Sequence, residues 1–238
     1  ATGMPAAFDC IVIGLGGIGS AVLATLAGRG LRVLGIEQHT PAHDRGSSHG
    51  QTRVIRKAYF EHADYVPLLL RAYELWRELE AECERPLYHE VGLVLGGLPD
   101  STVITGAKIA AERHGLRIEN LTAAEAHTRF PAYAVPDEFT VVFEPEAGYL
   151  DVEECVRSHL QSAEKHGATI HPHETVLDWR CDGETVSVRT DRGEYEAGGL
   201  VITAGPWAGD LLREMRIPLQ VVRKVLLWYE TPEEKFDA

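Results

Sequence analysis

No stretch of the 238 residues reaches the ~18 consecutive apolar positions that a membrane-spanning helix needs, so a bilayer is not an expected partner. The opening residues lack a basic stretch followed by an apolar core, the pattern of a secretory signal, and a cytoplasmic location is expected. Cysteine is scarce. Cys10, Cys83, Cys155 and Cys181 lie far apart without paired spacing, which excludes a disulfide framework and suits a reducing compartment. Positive charge is short as well: 23 Lys and Arg stand against 36 Asp and Glu, a formal net charge of −13. Such a field repels phosphate backbones, so nucleic acid is not an expected partner either. Metal-ligand spacing is also missing. His39, His43 and the pair His171 and His173 form no helical H-x-x-x-H pattern and no carboxylate cluster, so no metal site is expected.

What is there begins near the N-terminus. Residues 8–13 form a short apolar run that ends at glycine, the pattern of a buried parallel strand. Residues 18–27 read as a helix closed by Gly28 and Gly30, and residues 32–36 as a second strand. Strand, helix and strand over about 30 residues make a βαβ unit. Gly14, Gly16 and Gly19 fill its first turn with the pattern G-x-G-x-x-G, with Gly17 and Ile18 between them. In that context Gly14 permits a tight turn, Gly16 lets a pyrophosphate approach the backbone, and Gly19 allows the helix to pack closely on the strand. The helix N-terminus offers unpaired N–H groups to the phosphates. Glu37 ends the second strand, 18 residues after Gly19, with Gln38 next to it. A carboxylate there accepts hydrogen bonds from a ribose diol and repels a 2′-phosphate, which favours FAD or NAD over NADP. The residues alone leave FAD and NAD both open. One further hint is the run at residues 200–203, a buried strand that breaks at Ala204, Gly205 and Pro206 before Trp207. Strand ends of this kind are where α/β sheets bind ligands.

The remaining punctuation is ordinary. Asp64 reads as an N-cap for a helix whose buried face carries Val66, Leu69, Leu70, Tyr73, Trp76 and Leu79. Residues 90–95 read as a strand, residues 101–114 as a helix closed by Gly115, and Thr122 with Glu125 as a capping box. Asp151 reads as the cap of a helix reaching His166, and Asp191-Arg192-Gly193 as a hairpin turn. Residues 219–229 read as a closing strand. The fold class expected is α/β: a Rossmann-like dinucleotide domain with a second, mixed α+β substrate domain. The expected pieces are 1–85 and 145–215 for the first domain, and 86–144 and 216–238 for the second, which ends incomplete.

Residues 8–20 and the segment Gly46-Ser47-Ser48-His49-Gly50-Gln51-Thr52-Arg53-Val54-Ile55-Arg56 together resemble the monomeric sarcosine oxidase and N-methyltryptophan oxidase family. So do Tyr65-Val66-Pro67, Gly148-Tyr149-Leu150-Asp151 and Ala204-Gly205-Pro206-Trp207. This family belongs to the glycine oxidase and D-amino-acid oxidase group of FAD enzymes. The resemblance implies that FAD lies across Gly14, Gly16 and Gly19 with Glu37 on the adenosine ribose. It implies that Ser47, Ser48 and His49 run along the flavin and ribityl portion, and that Val176 meets the adenine through its backbone. Arg53 would face the flavin ring, Arg56 would hold a substrate carboxylate, and Gly205 and Trp207 would complete the wall. The activity implied is oxidation of a secondary or N-methyl amino acid to an imine, with oxygen as acceptor and peroxide as product.

The chemistry of these residue types agrees. Arginine grips carboxylates, and a cation at the flavin edge stabilises its anionic reduced form. Two positions three apart on a flat strand point to opposite faces, however, so the segment must bend if Arg53 and Arg56 serve one site. The family's long C-terminal portion carries the flavin-linking cysteine and two functional lysines, and none has a matching position in this sequence. Two explanations are open: the sequence is a truncated or split gene product, or a separate chain or segment completes the fold as a partner. The alternative function is a non-catalytic flavin-binding fragment, or one subunit of a larger FAD oxidoreductase. An NAD-dependent dehydrogenase would require the His49 segment to be coincidence.

Overall fold

The computed structural model describes residues 7–225, 227 and 230. Among them the chain forms two compact units. One joins the residues up to Thr52 with Asp151–Val225, and the other is built on Arg53–Leu150.

The first unit grows from the βαβ pattern. The strand Cys10–Ile13 pairs in parallel with Val33–Glu37 on one side and Leu200–Ile202 on the other, and Thr169–Pro172 extends the sheet beyond Val33–Glu37. Successive side chains of a strand point to opposite faces, and here both faces are covered, which is why residues 10–13 are apolar without alternation. Cys10 and Val12 pack against the helices Gly17–Gly28 and Val152–Lys165, through Leu23, Ala27, Val156 and Leu160. Ile11, Ile13, Leu34 and Ile36 face the other way and meet Val186, Val188 and Ala197. Those three belong to an antiparallel sheet of Val176–Cys181, Val186–Thr190 and Glu194–Ala197, whose last two strands are joined by the expected Asp191-Arg192-Gly193 turn. Helices, parallel sheet and antiparallel sheet thus form three layers, and the α/β class expected from the sequence is observed.

The second unit is mixed α and β. The strands Leu93–Gly97, Thr140–Glu144 and Glu119–Thr122 form an antiparallel sheet under the helix Thr102–His114, whose Ile104 and Ala107 pack on Val142. A second sheet orders Thr52–Ile55, Gly148–Asp151 and Tyr88–Glu90. The helix Val66–Cys83 adds Tyr73 to the cluster of Ile55 and Tyr88. This contact explains why the compact units divide near residues 52 and 150, and not at the expected 85 and 144. A helix that looks like an extension of the first piece is packed on strands of the second.

Other expectations shift in detail. Asp64 does not cap the helix: its N–H donates to His62 Nδ1, and a 3-10 turn at Ala63–Tyr65 precedes Val66–Cys83. Leu70 is exposed and not on the buried face, because Val66, Tyr73 and Leu79 already fill the apolar stripe. The strand expected at 90–95 is two strands, broken at Gly92, where φ is +78° and a Cβ would strike the Phe143 ring at 2.5 Å. Residues 219–225 form no strand. Leu219, Val221, Val222 and Val225 are all more than half exposed. The branched composition is that of a strand, but a strand also needs a ladder partner, and none is found among the described residues. Residues 226, 228 and 229 of that expectation lie outside the described residues.

Candidate functional site

Three features meet where the parallel strands of the first unit end. Gly14 follows Cys10–Ile13, Glu37 ends Val33–Glu37, and Thr203 follows Leu200–Ile202. Carboxyl ends of parallel strands are where such sheets bind ligands. A cleft of about 450 Å³ opens there.

The glycine turn forms one wall. Gly14 sits at φ +87°, and a Cβ on it would lie 2.7 Å from the Thr203 carbonyl oxygen. A Cβ on Gly19 would lie 1.8 Å from the Gly14 carbonyl oxygen and 2.5 Å from Thr203 Oγ1, so this position is glycine for packing alone. Thr203 secures the turn by donating its hydroxyl to the Gly14 carbonyl at 2.7 Å and its N–H to the Ile13 carbonyl at 2.8 Å. Gly16 and Gly17 face the cleft, and Gly17 N–H donates to Ser48 Oγ at 2.9 Å. This bond draws the distant segment 46–48 to the helix start, and Gly46, Ser47 and Ser48 line the cleft. Ile18, 72% exposed, lies at its rim.

Glu37 is buried, and its carboxylate is fixed from two sides. Oε2 accepts the Leu15 N–H at 2.9 Å and Oε1 accepts the His39 N–H at 2.9 Å. His43 Nε2 lies 3.4 Å from Oε1. A carboxylate offers about four acceptor positions, so capacity for ribose hydroxyls remains. His39, His43 and Trp207 pack edge to face, with Trp207 5.5 Å from His39, and His43 and Trp207 line the cleft. Burial, followed by the neighbouring His43 and Arg45, holds the His39 imidazole below its usual value. Gln38, Val176, Ala204 and Gly205 complete the wall.

His49 lies outside the lining of this cleft, beside Glu153. Glu153 Oε1 accepts the Gly50 N–H at 2.7 Å and Oε2 the Gln51 N–H at 3.1 Å, and these bonds fix the turn that follows His49. Burial opposes ionisation of Glu153, but those backbone N–H groups outweigh it and hold the carboxyl below its usual value. Arg53 and Arg56 belong to the second unit. Arg53 lies within the strand Thr52–Ile55, whereas Arg56 follows its last residue, so strand alternation does not fix the relation between the two side chains. The Arg56 guanidinium lies over the rings of Tyr59 and Phe60, 4.5 and 4.6 Å from their centroids, and donates to both oxygens of Glu61 at 2.8 Å.

Sequence reasoning did not single out Thr203, His43 or Glu174 as part of the cleft. Only Thr203 had a local signal, as the last residue of the buried run before the break at Ala204.

The groups in the cleft suit a dinucleotide: a turn kept free of Cβ atoms, helical N–H groups and a fixed carboxylate. Residues 9–238 match the family model of DAO, FAD dependent oxidoreductase. The chain belongs to this family. The cofactor is FAD, as expected from the sequence, and the choice left open between FAD and NAD is resolved. This DAO-family chain is 41% identical to the monomeric sarcosine oxidase of Streptomyces avermitilis over 95% of its own length and 59% of that protein's. It is 38% identical to the N-methyl-L-tryptophan oxidase of Escherichia coli strain K12, over 94% of its length and 60% of that protein's. Among solved structures, NikD, an unusual amino acid oxidase essential for nikkomycin biosynthesis, aligns with TM-score 0.79 and 35% identity, over 87% of this chain and 53% of NikD. The chain therefore spans less than two thirds of the length of these relatives. Among the described residues no helix is long and apolar enough to cross a membrane, and none of the four cysteines is in a disulfide.

Proposed function

We propose that the protein oxidises a secondary or N-methyl amino acid, a sarcosine-like amine, to an imine, with molecular oxygen as acceptor and peroxide as product. The observation that carries this reading is the cleft of Gly14, Gly16, Gly17 and Glu37 in a chain similar to sarcosine and N-methyltryptophan oxidases. When bound, FAD supplies the redox chemistry, and the protein supplies position and charge. The backbone at Gly14, Gly16, Gly17, Ile18 and Gly19 receives the pyrophosphate. Glu37, with Gln38 beside it, takes the ribose hydroxyls. Val176 receives the adenine, and Ser47, Ser48, Ala204, Gly205 and Trp207 wall the cleft. His49 would orient the substrate or tune the flavin ring, and Arg53 would supply a positive charge for the reduced flavin. Arg56 takes the amino acid carboxylate. In that role the substrate carboxylate would take the place of Glu61 on the guanidinium. Four cysteines outside any disulfide support a cytoplasmic location.

The test is the visible spectrum of the purified protein, followed by peroxide release from N-methyl amino acids under air. Flavin absorbance with peroxide formation is expected. Colourless protein that takes up no added FAD refutes the reading.

A second reading is favoured by the exposed Leu219, Val221, Val222 and Val225. In it the chain holds FAD without turnover and acts as one part of an oxidoreductase completed by a further chain or segment. It is distinguished by bound flavin without peroxide from any secondary amine, and turnover by the chain alone excludes it.

A further inference from the structure

The cleft wall includes a buried carboxylate that the reading above does not use. Glu174 is 2% exposed. Its Oε1 accepts the Thr190 hydroxyl at 2.6 Å, and its Oε2 lies 3.0 Å from His171 Nδ1. Its backbone N–H donates to the carbonyl of Glu37 at 3.0 Å. Burial, and then a hydrogen bond to Glu174, raise the Tyr195 phenol, and Tyr195 packs edge to face on His171 at 5.3 Å. The side chain therefore bridges the strands Thr169–Pro172 and Val186–Thr190 and reaches Glu194–Ala197, while the tie to Val33–Glu37 is made by the backbone.

The adjoining apolar cluster of Ile11, Ile36 and Val188 already joins the two sheets without polar groups. A buried carboxylate is costly unless its partners are in place, and replacement of such a group by packed apolar side chains is often neutral or stabilising. Its contacts converge on the cleft instead. Thr190 stands opposite Val176 in the antiparallel ladder. Thr175 and Asp191 lock the same corner, with Thr175 N–H to Asp191 Oδ1 at 3.0 Å and Asp191 N–H to the Thr175 carbonyl at 3.0 Å. Glu174, Thr175, Val176 and Glu37 all line the cleft.

We propose that Glu174 is a positioning residue for the adenosine end of the dinucleotide, holding the Thr175–Val176 backbone at a fixed spacing from Glu37. It acts through acceptor geometry, not through contact with the cofactor. The proposal rests on the cofactor placement given above.

The test is calorimetric titration of the purified chain, freed of flavin, with FAD and with ADP, alongside thermal melting. E174A is expected to weaken FAD and ADP by the same factor, about tenfold or more, because both carry the adenosine end and the buried Thr190 hydroxyl loses its carboxylate acceptor. E174Q keeps the acceptor for Thr190 and is expected to restore most of the affinity. If E174A does not fold, T190V removes one partner only and is expected to weaken ADP severalfold. A purely structural role lowers the melting temperature and leaves both affinities within twofold of wild type, and that result overturns the proposal. So does an E174Q variant as weak as E174A. Wild-type protein that binds neither FAD nor ADP overturns the cofactor placement and the proposal together. Tight wild-type binding with unchanged E174A, or with unchanged T190V where E174A does not fold, overturns the proposal alone.

Discussion

Two glycines of one motif should fail in opposite ways. Gly19→Ala places a Cβ 1.8 Å from the Gly14 carbonyl oxygen and 2.5 Å from Thr203 Oγ1. Relief requires the helix Gly17–Gly28 and the turn to separate by about 1.5 Å, and overpacking of this kind typically costs about 1–3 kcal/mol. The gain from alanine in a helix, about 0.5–1 kcal/mol, offsets only part of it. A net loss of about 1–2 kcal/mol lowers the melting temperature by roughly 2–8 °C for a chain of this size. Gly16→Ala is different. Gly16 has φ −71° and ψ −161°, which any residue adopts, and its Cβ would meet only Ser48 Oγ at 3.4 Å. The loss of a glycine N-cap costs under about 1 kcal/mol. The added methyl instead stands in the space a pyrophosphate would take, and about 3 kcal/mol of lost binding is roughly a hundredfold in affinity. Melting followed by circular dichroism, with FAD titration by flavin fluorescence, separates the two effects. The reasoning is refuted if Gly16→Ala binds FAD as tightly as wild type, or if it melts as early as Gly19→Ala.

Glu37→Gln leaves one of the Leu15 and His39 N–H groups facing an amide N–H, and should cost about 1.5–3 kcal/mol in the folded state. FAD affinity should fall about tenfold in titration. Thr203→Val removes the hydroxyl from the Gly14 carbonyl and should lower stability by about 1 kcal/mol in urea denaturation, while leaving the fold intact. Burial raises Glu80, but the N–H groups of Tyr88 and Leu87, at 2.8 and 2.7 Å, outweigh it and hold the carboxyl below its usual value of 4.5. The unfolded chain therefore binds that proton more readily, and the stability from Glu80 is present above its usual value and lost as pH falls through the folded one. Glu80→Gln should cost about 1–2 kcal/mol at neutral pH and flatten the acid limb of a stability–pH curve.

Features decided by near neighbours in sequence were legible from sequence. The turn at Gly14 to Gly19, the Thr122–Glu125 capping box and the Gly115 stop, at φ +64°, each involve residues within one turn of one another. The 190–193 hairpin is of the same kind. The failures were decided elsewhere. Asp64 has the side chain of a cap, but it lies inside a 3-10 turn that His62 caps by accepting the Asp64 N–H. The apolar run at 90–95 reads as one strand until the Phe143 ring, brought by a strand some fifty residues later, requires Gly92 to turn.

The candidate site divides along the same line. Its glycine turn is one contiguous motif whose glycines announce a missing Cβ. Its other walls come from far along the chain: Thr203 closes on Gly14 from 189 residues away, and Ser48 on Gly17 from 31. Nothing local distinguishes Glu174 from a solvated glutamate in a turn, because its burial follows from strands on both sides that meet only after folding. The run at 219–225 makes the complementary case. Its branched residues carry strand propensity as strong as that of residues 10–13, yet of the two runs only 10–13 finds neighbours on both edges among the described residues. Propensity proposes a strand, and pairing decides it. The same asymmetry governs the site, where the glycines propose a dinucleotide and the distant partners Ser48, Thr203 and Glu174 decide how rigidly its cleft is held.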